Sequence, residues 1–157
     1  MVKYKSLFQP ETLAEIQRRI LELKEEKKAK WGKMNSAQML CHCDKVLKVA
    51  IGKLILPKTN FFIYYIGNLT RIEMMIFNNG IPPNMPTFKK LVVEENCNFE
   101  DCRENLLKTL NEFIRISSEN KLPERHELFG KMTKKEWGFM EYKHLNHHLK
   151  QLDYEFF

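Results

Sequence analysis

Two stretches of this chain spell the same helix entrance, and they constrain the fold more than any other feature. Gly32-Lys33-Met34-Asn35 is echoed by Gly130-Lys131-Met132-Thr133. Each ends in a residue that caps a helix, and each cap has an amide or carboxylate three residues on, Gln38 and Glu136. In that capping box the cap side chain accepts from the backbone N–H of the third residue, whose own side chain reaches back to the cap. Met34 and Met132 precede the caps, and Met39 and Trp137 stand at the fourth helical positions, which is the pattern of a hydrophobic staple. Two helices therefore enter the fold in the same manner.

The remaining periodicity is also helical. Pro10 suits a first turn, and Leu13, Ile16, Ile20 and Leu23 follow at helical spacing. Asn35 opens a second helix with Met39, Cys43, Val46, Leu47 and Ala50 on one stripe. Residues 56–60 read as a loop. Phe61 to Phe77 is dense in aromatic and methionine residues and reads as a helical insert broken near Gly67, suited to covering a site, to a dimer contact or to the core. A long loop with Pro82, Pro83 and Pro86 follows, and loops of that length in compact domains are often functional. Asn98 caps a helix carrying Phe99, Cys102, Leu106, Leu110 and Phe113. Residues 120–128 read as a second loop, and Thr133 opens a last helix running to about Leu152. With only six glycines and six prolines in 157 residues, a turn-rich β fold is disfavoured. The expectation is one all-α domain over residues 1–157.

The net charge of +6 is interleaved with acid, as in Lys24-Glu25-Glu26-Lys27-Lys28, which reads as a solvated helix face. No nucleic-acid motif accompanies it. No apolar run is long enough to cross a membrane, and the start of the chain does not read as a signal peptide. A cytoplasmic location with reduced thiols is the expectation. Cys41, Cys43, Cys97 and Cys102 contain no C-x-x-C pair, and Cys43 and Cys102 read as small core residues.

The histidines carry the chemistry. His42 lies seven residues after Asn35, and His144 and His148 lie eleven and fifteen after Thr133. Steps of four keep one helical face, so neighbouring helices can bring the imidazoles together from two sides of one pocket. Trp137, Met140, His144, His148 and Gln151 share a stripe that Trp137 and Met140 mark as inward. A metal ion satisfies several buried imidazoles at once. His147 points off this stripe, toward solvent. Glu141 and His144 form an E-x-x-H match, but the second helix has none, so a di-iron site is rejected. Because adjacent helical residues diverge, Cys41, His42 and Cys43 cannot share one ion.

The run from Trp31 to His42, then Asn84-Met85-Pro86-Thr87, His126 to Thr133, Glu136-Trp137-Gly138 and Tyr142 to Gln151 together resemble a bacterial domain-of-unknown-function family of the DinB/YfiT-like superfamily. H-x-x-H-H-x-x-Q is the most specific part, and Glu127 departs from the proline expected there. The resemblance covers roughly residues 10–152. It implies a four-helix bundle with a long crossover and one divalent metal held by His42, His144 and His148. Zinc is the default ion, with nickel, iron or manganese as alternatives. Gln151 is the candidate polar residue beside the site. Relatives in the wider superfamily include S-transferases and isomerases that use low-molecular-weight thiols such as bacillithiol or mycothiol, and metal-dependent hydrolases. The expected activity is thus thiol-dependent S-transfer to a small-molecule substrate, with hydrolysis or a non-enzymatic metal-binding or homodimer module as the alternatives.

Overall fold

In a computed structural model, residues 4–152 are described; residues 1–3 and 153–157 of the expected domain lie outside the described residues. The elements are α1 (Pro10–Glu22), α2 (Ser36–Ala50), α3 (Phe61–Phe77), a 3-10 turn (Lys89–Leu91), α4 (Phe99–Ser118), β1 (Arg125–His126), β2 (Gly130–Lys131) and α5 (Lys134–Leu152). The molecule is mostly helical, as the periodicity implies.

Both expected capping boxes form. The Asn35 side chain accepts from the Gln38 amide at 2.8 Å, and the Asn35 amide donates to Gln38 Oε1 at 3.0 Å. Thr133 Oγ1 accepts from the Glu136 amide at 3.2 Å, and the Thr133 amide donates to Glu136 Oε2 at 2.7 Å. Asn98 caps α4 through the Asp101 amide. These caps satisfy N–H groups that a helix leaves without partners.

Helix α2 packs against α4 and α5, and α1 packs against the same two helices. The centre is apolar: Ile16 and Ile20 from α1, Leu40 and Leu47 from α2, Leu106, Leu110 and Phe113 from α4, and Leu145 and Leu149 from α5 are essentially inaccessible. One polar tie crosses this core. Asp44 on α2 accepts from Thr109 Oγ1 on α4 at 2.5 Å and from Lys48 Nζ at 2.6 Å. A buried carboxylate without such partners would be costly.

Helix α3 runs unbroken through Gly67, against the expected break. A glycine inside a helix costs about 1 kcal/mol relative to alanine. Here it has a purpose, since the Leu128 backbone and side chain occupy the space a Cβ would need. The orientation of α3 also corrects its reading as a cover for the histidines. Its inward side carries Gly67, Met74, the Arg71 ion pair with Glu136, and Tyr64, whose hydroxyl accepts from Arg125 at 3.0 Å. Phe61, Phe62, Tyr65, Ile66, Leu69, Ile72, Ile76 and Phe77 face solvent, with Phe61 84% exposed. The second expected loop contains a short antiparallel ladder, Arg125 opposite Lys131 and His126 opposite Gly130, which an all-helical reading misses. No helix of the described residues is long and apolar enough to cross a membrane.

Glu141 faces the core rather than a metal. It is buried, its Oε2 has no hydrogen-bond partner, and burial pushes its carboxyl up to about 8. A folded-state value above the unfolded one, 4.5, means the folded chain holds a proton the unfolded chain releases. Stability should therefore fall as pH rises from about 5 to about 8, by at most about 1.4 kcal/mol per pH unit from this group. Glu141→Gln is expected to flatten that decline in urea melts taken across the range; an unchanged slope would show that the carboxyl is ionised in the fold. Thr133→Ala is expected to cost about 0.5–2 kcal/mol in the same assay, through loss of the α5 cap.

Candidate metal centre

The three histidines singled out by cap counting meet between α2 and α5. One ring nitrogen from each of His42, His144 and His148 lies within 4.8 Å of the others. Ring centroids are separated by 5.1 Å for His42 and His144, 4.8 Å for His42 and His148, and 4.6 Å for His144 and His148. His42 and His148 are buried and His144 is partly so.

The partners of these rings decide which nitrogens are free. His42 Nδ1 lies 2.8 Å from the Leu91 carbonyl oxygen, which can only accept, so Nδ1 carries the proton. Gln151 Nε2 donates to the Trp31 carbonyl at 2.5 Å, which leaves Gln151 Oε1 as an acceptor. Oε1 lies 2.9 Å from His148 Nδ1, so that nitrogen is protonated too. In a neutral imidazole the other nitrogen is then a bare lone pair. His42 and His148 thus both present Nε2 lone pairs, and His42 Nε2 stands 3.2 Å from His144 Nε2. His144 Nδ1 is buried with no hydrogen-bond partner.

The electrostatics keep these rings neutral. Burial pushes His148 down to about 3, and the neighbouring His42 and His147 add to the shift. Burial, followed by the charges of His148 and His42, holds His144 well below the ordinary imidazole range. Burial lowers His42 as well, opposed by its bond to Leu91. A neutral cluster of imidazoles with two Nδ1 protons fixed suits a cation, and the orienting carbonyl and amide are the outer partners that metal-binding histidines use. The residues present fit a divalent ion held by His42, His144 and His148.

Several neighbours were not legible in the sequence. Leu91 acts through a backbone carbonyl, which no residue type signals. Gln151, by contrast, is the polar candidate read from the sequence, and it stands behind His148 as its orienting partner. The loop after α3 lies along this end of the bundle: Lys143 Nζ donates to the Asn78 carbonyl at 2.8 Å, and His147 bonds to the Ile81 backbone. That contact corrects the solvent-facing reading of His147, which is partly buried and lies 5.5 Å from the Trp31 ring. Tyr142 is buried, and Asn146 accepts from Arg19 at 2.8 Å, so both are structural. His126 stays apart, its Nδ1 accepting from the Leu128 and Phe129 amides.

The α2 cysteines diverge as helix geometry requires, and only one of them is a free thiol. Cys43 is buried in the core, where burial pushes its thiol well up. Cys41 is bonded to Cys102, joining α2 to α4, which corrects both the expectation of reduced thiols and the reading of Cys102 as core filling alone.

Gly32 holds the far side of the site. Its φ of +79° is the left-handed region, and a Cβ there would stand 2.6 Å from Gln151 Nε2. Gly32→Ala is expected to cost about 1–2 kcal/mol from the backbone alone and to displace Gln151 from His148. Nitrogen-15 spectra of the imidazoles should then show that His148 Nδ1 is no longer the fixed protonated nitrogen; an unaltered His148 tautomer would refute this role for Gly32.

No curated protein and no solved structure matches this sequence. Residues 2–155 match a family model described as "Protein of unknown function (DUF1569)". The match spans nearly the whole chain, histidine cluster included, and the protein therefore belongs to the DUF1569 family.

Proposed function

We propose that the protein binds one divalent metal ion, zinc by default, through His42, His144 and His148, within a four-helix bundle of the DinB/YfiT-like kind. The observation that carries this reading is the fixed tautomer pair: Leu91 and Gln151 take the Nδ1 protons of His42 and His148 and leave both Nε2 nitrogens bare, in a cluster whose ligand atoms lie within 4.8 Å of one another. Three imidazoles leave a coordination position free, and an ion so bound supplies Lewis acidity to a thiol or a water.

The finer reading is a small-molecule S-transferase that takes a low-molecular-weight thiol as co-substrate. In it, His42, His144 and His148 hold the reaction centre, Gln151 fixes the orientation of His148, and the loop between α3 and α4 limits access of bulk water. It rests on the resemblance of the H-x-x-H-H-x-x-Q run together with this donor set. Hydrolysis uses the same residues and is the second reading. The outward turn of the α3 aromatics favours neither, because those side chains do not line the histidine cluster.

Elemental analysis of purified protein is expected to find one equivalent of metal, and His144→Ala to abolish it. Gln151→Leu is expected to weaken metal affinity by about 10–100-fold, as loss of an orienting partner does. Chelation should lower stability by about 3 kcal/mol if the ion is present at about a hundred times its Kd, which is a fall in Tm of roughly 5–10 °C for a chain of this size. A metal-free protein with an unchanged Tm would overturn the metal reading. A metal-loaded protein with no transfer of bacillithiol or mycothiol to an electrophile, but with ester or amide cleavage, would replace the S-transfer reading with the hydrolytic one.

A further inference from the structure

A second cluster of soft donors lies next to the histidines and plays no part in the reading above. The sulfurs of Cys41, Cys97 and Cys102 lie within 4.8 Å of one another. They come from three places: Cys41 from α2, Cys102 from the first turns of α4, and Cys97 from the segment just before the Asn98 cap. Cys41 and Cys102 are bonded to each other, and Cys97 remains a free, partly exposed thiol. A disulfide needs two sulfurs. The third is held in place, with its thiol 3.5 Å from the Glu95 carbonyl oxygen.

We propose that these three cysteines form a redox-gated site for a thiophilic d10 cation, closed while Cys41 and Cys102 are bonded and opened by their reduction. Three arguments support it. First, three thiolates at this separation match the donor count and softness that select zinc(II), cadmium(II) or copper(I) over hard ions. Second, the cluster sits at the N-terminal end of a 20-residue helix, where the aligned peptide dipoles favour negative charge. Third, Cys97 is partly exposed, so an ion and a fourth ligand, water or an external thiol, can reach the cluster without unfolding it. Cys43 takes no part, since it is buried on another side of α2.

The chemistry balances with a stated reductant. A phosphine attacks one sulfur of the Cys41–Cys102 bond, the S–S bond breaks, and water delivers the oxygen of the phosphine oxide and the protons of the two thiols. Binding of the cation by Cys41, Cys97 and Cys102 then displaces their three protons to solvent. An external dithiol does the same reduction by exchange and leaves as its own disulfide. The site is independent of the histidine cluster, so its failure and that of the metal reading above are distinguishable.

The test is a cadmium(II) titration of the full chain, followed by equilibrium dialysis and by the ultraviolet thiolate-to-cadmium charge-transfer band. Phosphine-reduced protein is expected to take up two equivalents, one of them with the thiolate band. His144→Ala should take up one equivalent and keep the band. Cys97→Ser, checked for folding by circular dichroism, should take up one equivalent and lose most of the band. Protein with Cys41 and Cys102 oxidised should bind one equivalent without it. In the phosphine-reduced protein of unmodified sequence, cadmium should slow alkylation of Cys97 by iodoacetamide at least tenfold, a measurement that does not depend on any variant folding. No thiolate band in the reduced protein, a band that survives Cys97→Ser, or unprotected Cys97 would each overturn the site.

Discussion

The burial of α2 against both α4 and α5 is the constraint on which the rest of the structure depends. A helix enclosed on two sides has little solvent to offer its polar side chains. Each must then find a partner in the protein, because an unpaired buried polar group costs on the order of 1–3 kcal/mol. Ser36 donates to the Lys27 carbonyl, Asp44 is met by Thr109 and Lys48, and His42 is met by Leu91 and His144. The capping box at Asn35 sets where this helix begins and so which residues turn toward which neighbour. Cys41 faces α4, Cys43 the core and His42 α5, within three consecutive residues.

The histidine cluster follows from that enclosure. Burial lowers all three imidazoles, and His144 and His148 are lowered further by neighbouring rings. The fixed Nδ1 protons of His42 and His148 leave their Nε2 nitrogens as lone pairs. The arrangement is therefore poor as a self-contained core and well matched to a positive charge. The backbone contributes as much as the side chains. The carbonyls of Leu91 and Trp31 come from irregular segments whose positions are set by a 3-10 turn and by a left-handed glycine.

Much of this was legible from local chemistry. The echoed caps located the starts of α2 and α5, and counting from them brought His42, His144 and His148 to one place. Those signals are local: a cap and a helical period need only neighbouring residues. What escaped was set at long range. Nothing in the spacing of Cys41 and Cys102, which lie 61 residues apart, marks them as a pair. Leu91 works through its backbone, and the room that Gly32 leaves for Gln151 depends on a fold that brings residues 32 and 151 together. His147 looked exposed because helical period says where a side chain points but not whether a distant loop will cover it. The α3 segment shows the same limit, since its pattern gives two faces without saying which one the protein covers.

That last helix separates two kinds of selection. In most of the chain, an apolar residue is accounted for by the free energy it adds to the fold. The large apolar side chains along the outer strip of α3 add much less in the isolated molecule, because 43–84% of each stays exposed to water. Polar replacements at the most exposed of them, Phe61, Phe62, Ile76 and Phe77, would leave the core intact. Variation along this strip is therefore bound less tightly by stability than variation in α2 or α4.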